Sequence, residues 1–181
     1  TLRFPGAQGR PVWSKDGKKL MFKVGGEQAR FVMLSLPSGE SHEYPIYENF
    51  SSSFGEWSWS EERGFVLVSG IFIPTGANGI HRHDLASGKT ETLVTLRDTP
   101  DRDWNSHPQV APDGTSFYYS RRKFVSQTPY STDRIVRRDL RSGNEEVVYQ
   151  PEGHLSIIPY PFELSPDGSR LAVNVSNSGG R

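Results

Sequence analysis

The feature that most narrows what this chain can fold into is one short phrase written four times. It reads Pro11-Val12-Trp13-Ser14-Lys15-Asp16-Gly17, then Trp57-Ser58-Trp59-Ser60-Glu61-Glu62-Arg63-Gly64. It returns as Pro108-Gln109-Val110-Ala111-Pro112-Asp113-Gly114 and as Phe162-Glu163-Leu164-Ser165-Pro166-Asp167-Gly168. An apolar run follows each copy, for example Phe65-Val66-Leu67-Val68 and Leu171-Ala172-Val173. The four glycines are 47, 50 and 54 residues apart, a period that belongs to repeat architectures. A second signature recurs half a period later: Leu34-Ser35-Leu36-Pro37-Ser38-Gly39, Asp84-Leu85-Ala86-Ser87-Gly88 and Asp139-Leu140-Arg141-Ser142-Gly143.

The residue types state the geometry. Proline pre-sets φ at the first corner of a type I turn, Asp bonds the backbone two residues on, and Gly takes the left-handed position of a bulged hairpin. Ser-Gly admits the same reading. One repeat is therefore strand, Asp-Gly turn, strand, loop, strand, Ser-Gly turn, strand, which makes four antiparallel strands. No window keeps helical spacing for three turns, and 18 Gly with 13 Pro suit many short strands. A single such sheet cannot bury both faces, whereas sheets stacked radially about an axis can. The bulky positions Trp13, Trp59, Val110 and Leu164, with Pro11, Trp57, Pro108 and Phe162 two residues earlier, are expected to wedge against the neighbouring sheet. The expected fold is an all-β propeller segment of about three and a half four-stranded blades, part of a six- to eight-bladed whole.

These patterns, S-P-D-G-x-x-L-A-V and D-L-x-S-G, resemble the WD-like repeats of TolB, of the tricorn protease and of prolyl-oligopeptidase-type propellers. The likeness runs over nearly the whole chain, with departures: Lys15 for Pro, Glu62-Arg63 for Pro-Asp, Ala111 for Ser and Ser35 for Asp. The expected layout is one propeller domain or fragment over 1–181. Residues 1–5 form the last strand of a preceding blade, 10–48, 54–97 and 105–150 form blades, and 159–181 form the first half of another. A segment of a longer propeller is the reading we take. The alternatives are a makeshift blade pairing Thr1 to Phe4 with 162–175, or closure by two chains; an open arc would expose sheet edges and self-associate.

An up-and-down sheet puts its tight turns at one end and its longer links, 24–30, 42–54, 69–79, 95–107, 120–134 and 150–161, at the other. Binding residues sit on loops held by a rigid frame. The candidates for contact with a partner are Arg97, Asp101, Arg102, Asp103, Trp104, Asn105, His107, Arg121, Arg122 and Tyr130. Their mixture of guanidinium, carboxylate, amide and ring suits a protein, peptide or glycan.

Other constellations carry less. His81-Arg82-His83 puts two imidazoles on one side of a strand, but they align with Val32, Leu34, Val136 and Arg138 of the sister repeats, and no third ligand is apparent. Ser87-Gly88-Lys89-Thr90 lacks the earlier glycine of a phosphate loop. The basic stretch 121–141 is expected to pair Arg137 and Arg138 with Glu145 and Glu146 across strands. With 21 basic against 21 acidic residues, nucleic acid is not an expected partner. No apolar run approaches a membrane span, so membrane insertion is not expected either. No metal, cofactor or catalytic residue is assigned, and no G-x-S-x-G elbow occurs. The function read from the sequence is a non-catalytic, TolB-like scaffold that binds on its loop-rich face. The alternatives are the substrate-gating propeller of a peptidase, or a lyase resembling oligogalacturonate lyases with His107, His154 and Arg102 as first candidates. Resemblance to TolB implies a bacterial, periplasmic or secreted protein; the residues themselves leave the compartment open.

Overall fold

The turns set the architecture. Ser14 Oγ donates to Asp16 Oδ1 (2.7 Å) and accepts the Lys19 N–H (2.8 Å), while Asp16 Oδ1 also accepts the Lys18 N–H (2.9 Å). The fourth copy repeats this with Ser165, Asp167 and Arg170 at 2.6 and 2.9 Å. Bonds from Ser165, the Ser169 N–H and the Ser169 hydroxyl hold the exposed Asp167 carboxyl down to about 2. Gly17 and Gly168 take φ of 71° and 72°, the left-handed conformation each turn needs. In the second signature Asp84 accepts the N–H and hydroxyl of Ser87 at 2.8 and 2.6 Å, and Asp139 accepts the same pair from Ser142.

In the computed structural model, residues 5–46, 48–50, 56–95, 104–123, 132–152 and 155–177 are described. The first sheet is β1 (Ala7–Trp13), β2 (Lys19–Val24), β3 (Arg30–Ser35) and β4 (Ser41–Pro45). The second is β5 (Trp57–Ser60), β6 (Phe65–Phe72), β7 (Ala77–Asp84) and β8 (Thr90–Thr95). The third is β9 (Trp104–Val110), β10 (Ser116–Lys123), β11 (Thr132–Asp139) and β12 (Glu145–Tyr149). The fourth holds β13 (Leu155–Leu164) and β14 (Leu171–Asn177). Each runs antiparallel in chain order, three sheets with four strands and one with two, and no helix occurs among the described residues. The strand expected over Thr1 to Phe4 lies outside the described residues.

Sheets pack face on face, which explains the apolar runs. On β6, Val66 and Val68, with Trp59 of β5 beside them, point to the first sheet and meet Met21 and Phe31, with Ile46 and Phe50 of the link completing the layer. The alternate residues Phe65 and Leu67 meet Phe117, Tyr119 and Val136 of the third sheet. A strand covered on both faces reads as continuous rather than alternating hydrophobicity. Ile135 and Phe162 join the third sheet to the fourth, with Leu171 and Val173 packed beside them. The expected wedge holds at Trp59 (9% exposed) and at Phe162 (3%), whereas Trp13 is 56% exposed. Trp13 faces away from the second sheet, on the side where every other blade meets its predecessor.

His81 and His83 are buried and point to the Phe50 layer. His81 lies within 3.0 Å of both the Thr92 hydroxyl and the Gly70 carbonyl, and His83 within 2.8 Å of the Thr90 hydroxyl. Burial pushes both imidazoles below their ordinary range. Arg138 meets Glu145 at 2.7 Å, as cross-strand pairing leads one to expect; Arg137 stands opposite Glu146 in register but donates to Ser116 instead (3.2 Å).

Candidate functional site

The first strand of each sheet is its inner edge, and these edges gather around one axis. Side chains tie them where no backbone ladder does. Ser58 Oγ accepts the Val110 N–H (3.2 Å). Gln109 donates to the Phe162 carbonyl (2.9 Å) and accepts the Leu164 N–H (3.1 Å). Glu163, at the equivalent place in the fourth sheet, pairs with Arg10 of β1. Ser58, Gln109 and Glu163 each lie two residues before the turn serine or its Ala111 replacement, so one repeat position serves as the tie.

Three of these edges are interrupted. β1 carries a bulge between Gln8 and Val12, β9 between Ser106 and Gln109, and β13 between Ile157 and Phe162. Prolines 11, 108 and 161 fall in or beside the bulges. A proline is tolerated there because its missing N–H faces the open edge, and a bulge re-aims the side chains around it. At His107 the backbone turns to φ 54°, a left-handed conformation that costs a non-glycine residue about 1–3 kcal/mol and persists only where surroundings enforce it.

The edges line an open cleft of about 970 Å³ running from Glu56 and His107 at the loop-rich end to Pro112 and Pro166 at the turn end. Its walls combine aromatic faces, Trp13 and Trp57, with charged groups, Arg10, Lys23, Glu56 and Glu163. Trp57 is braced by Phe31, ring centroids 4.8 Å apart. Arg10, Glu56 and His107 each lie four residues before the turn position, but the bulges set them apart in register: Glu56 stands opposite Ser69, whereas Arg10 and His107 lie within the bulges of β1 and β9. His107 Nε2 is 3.4 Å from Glu56 Oε1, which links the third sheet to the second, and Nδ1 is 3.4 Å from Ser106 Oγ. Burial pushes the His107 imidazole down, opposed by the Glu56 carboxylate. Burial also pushes the Lys23 ammonium down, with Glu56 again opposing. Among the described residues no group of three His, Cys, Asp or Glu side chains is placed to hold a metal.

Of the partner-contact candidates that are described, His107 alone lines this cavity. Arg97, Asp101, Arg102, Asp103 and Tyr130 lie outside the described residues, as does His154; Trp104 is described only as the first residue of β9. Asn105 and Arg121 are built into the third sheet. Arg121 donates to Asn105 (3.2 Å), to the Tyr119 hydroxyl and to Glu145 (2.8 Å), and the Tyr119 hydroxyl donates to Glu145 as well (2.8 Å). Burial pulls Glu145 upward, but bonds from Tyr119, Arg138 and Arg121 outweigh it and hold the carboxyl below its ordinary range. Arg122 is half-buried on β10, opposite Asp133 in register and within electrostatic reach of His107. Sequence reasoning passed over Arg10, Glu56 and Lys23. The available signal was a charged residue recurring at one repeat position just ahead of a bulky apolar pair.

No family model and no curated protein matches this chain. Solved structures do. The tricorn protease is similar over 91% of this chain and 16% of its own, at 14% identity and a TM-score of 0.59. A prolyl endopeptidase from a study of two such enzymes is similar over 93% of this chain and 26% of its own, at 18% identity and 0.60. An oligogalacturonate lyase from Vibrio parahaemolyticus is similar over 90% and 50%, at 13% identity and 0.55. This chain therefore spans half or less of the length of these proteins. At such identities the likeness is one of fold, and the fold is that of a partial β-propeller.

Proposed function

We propose that this chain is a non-catalytic propeller segment that binds an extended peptide segment of a protein partner in its axial cavity. The observation that carries this reading is the cavity wall, on which the Trp13 and Trp57 rings stand beside charges of both signs. A rigid ring beside polar groups gives contact area at low entropic cost. Four strand edges, each paired on one side only among the described residues, add main-chain donors and acceptors of the kind an extended peptide uses. The test is titration of the protein with capped hexapeptides, followed by tryptophan emission and calorimetry. Trp13→Ala is expected to weaken binding at least about fivefold, the loss of a modest aromatic contact, and to cost less stability than Trp59→Ala. Unchanged affinity in that variant, with cross-links mapping to 97–107 and 121–130, would return the site to the loop-rich face. Response to oligosaccharides and not to peptides would make the partner a glycan.

A second reading follows from the likeness to prolyl endopeptidases over 93% of this chain. Here the cavity passes substrate to a separate hydrolase domain. A serine elbow encoded downstream in the parent gene would establish it.

A further inference from the structure

Three of the four sheets end outward on a guarded edge, and the fourth does not. β4 carries Glu43 and Pro45, β8 carries Glu91, and β12 carries Glu145 and Glu146. Charges and prolines of this kind keep an edge from pairing with a foreign strand. β14, Leu171-Ala172-Val173-Asn174-Val175-Ser176-Asn177, has neither, and among the described residues it pairs with β13 alone. The Ser165 N–H donates to the Arg170 carbonyl (2.9 Å), so Arg170 turns its backbone to β13. Alternation along an antiparallel strand then turns the N–H and C=O of Leu171 and Val173 to the open side.

The sister repeats show what such an edge takes. Leu20, Val66, Phe117 and Leu171 are equivalent, each opposite the residue just before the turn. Two residues earlier, the carbonyls of Lys18, Gly64 and Thr115 accept the N–H of Leu36, Leu85 and Leu140 at 2.7, 2.9 and 2.9 Å. The matching carbonyl in the fourth sheet is that of Ser169. Phe22, Val68 and Tyr119 stand opposite Val32, His81 and Val136, each four residues before that leucine, and Val173 is the fourth of their series. Val136 packs on Ile80 and Val94 of the second sheet. The counterparts of that pair in the third sheet are Ile135 and the half-buried Tyr149. Both already pack with Leu171 and Val173, so a strand added to β14 continues the interface between the third and fourth sheets.

We propose that the outer edge of β14 docks an extended segment of a partner protein, antiparallel, with a β-branched residue four positions before a leucine. The β-branched side chain seats on Ile135 and Tyr149, and the leucine N–H reaches the Ser169 carbonyl. Main-chain bonds to Leu171 and Val173 supply the ladder, as in other strand additions. β14 lines no part of the axial cleft, so this edge is independent of the peptide reading above.

The experiment is amide hydrogen exchange and chemical-shift titration by NMR on the whole chain. The probe is the capped heptapeptide Arg-Ile-Val-Arg-Arg-Asp-Leu, the chain's own sequence over 134–140. We expect exchange at the Leu171 and Val173 amides to slow at least about tenfold on saturation, while Ala172, already bonded to β13, changes little. The same peptide with an N-methylated valine should bind at least about tenfold more weakly, since it lacks one ladder donor. Replacing that valine by Asn should weaken binding at least about fivefold through the lost apolar contact. Equal binding of the N-methylated peptide overturns the proposal, as does protection confined to the amides of the axial cleft, an outcome that leaves the peptide reading standing. Failure of the peptide to bind overturns it too. Slow exchange at Leu171 and Val173 without peptide also overturns it: protection that grows with protein concentration makes the occupant a second copy, and protection at every concentration makes it the chain itself.

Discussion

Trp13 and Trp59 occupy the same place in two successive repeats, and their removal should cost very different amounts. Each precedes the turn serine, and each points away from the following sheet. Trp59 has the first sheet to lean on, next to Met21, Val66 and Val68, and is 9% exposed; Trp13 is 56% exposed. Taking roughly 250 Å² for a tryptophan and about 25 cal/mol per Å², that difference in exposure corresponds to roughly 3 kcal/mol. A compact denatured state trims the figure, and the void left at Trp59 adds to it. Trp59→Ala should therefore destabilise the chain by roughly 3 kcal/mol more than Trp13→Ala. The assay is equilibrium urea unfolding followed by far-ultraviolet circular dichroism, because tryptophan emission reports on the deleted groups themselves. Equal costs for the two variants would refute the packing order argued here, in which each blade is wedged by the one before it. A larger cost at Trp13 would mean that a further element covers the first sheet in solution.

Two further outcomes follow from the same frame. Gln109→Ala removes two bonds to the next inner edge and should cost about 1–2 kcal/mol, with faster hydrogen exchange at the Leu164 amide; unchanged exchange there would remove Gln109 as a tie. His81 and His83 are buried with imidazoles pushed below their ordinary range, so the unfolded chain binds protons more readily than the folded one. Their contribution to stability is present above the unfolded value near 6.5 and is lost as the pH falls through the lower folded values. Urea midpoints between pH 7.5 and 5.0 should decline more steeply in the parent than in a His81→Gln/His83→Gln variant, and matching slopes would count against their burial as neutral groups.

The hairpins were legible because their chemistry is local. Ser14, Asp16 and Gly17 specify a turn within a few residues, and the degenerate copies still fold because each keeps part of the set. Ala111 lacks the hydroxyl of Ser14, yet Asp113 still takes the Thr115 N–H at 2.9 Å. The double burial of Phe65 to Val68 was legible too, since only a sheet covered on both faces tolerates an unbroken apolar run. The cavity was not, because it depends on offsets between strands. A bulge at Gln8 to Val12 or Ser106 to Gln109 is visible only when the partner strand is in register beside it. Loop composition pointed instead to residues such as Asn105 and Arg121, which lie inside the third sheet with Arg121 Nε donating to Asn105 Oδ1.

What the repeat holds constant and what it lets vary then divide the labour within each inner strand. Two residues before the turn, Ser58 and Gln109 reach the backbone of the next edge, and Glu163 reaches Arg10. A polar side chain of adequate length suffices for that task, so its identity is free to drift among serine, amide and carboxylate. Four residues before the turn, Arg10, Glu56 and His107 bring three different charges to the axis. Solvent reaches Arg10 and Glu56, whose side chains are 71% and 38% exposed, so of the three only His107, at 14%, is substantially desolvated there. The backbone differs with them: Arg10 and His107 lie in bulges, His107 at φ 54°, while Glu56 precedes a regular strand. The turns that make the fold recognisable keep their chemistry from repeat to repeat, whereas the inner-edge bulges change, and Arg10 and His107 reach the cavity from two of them.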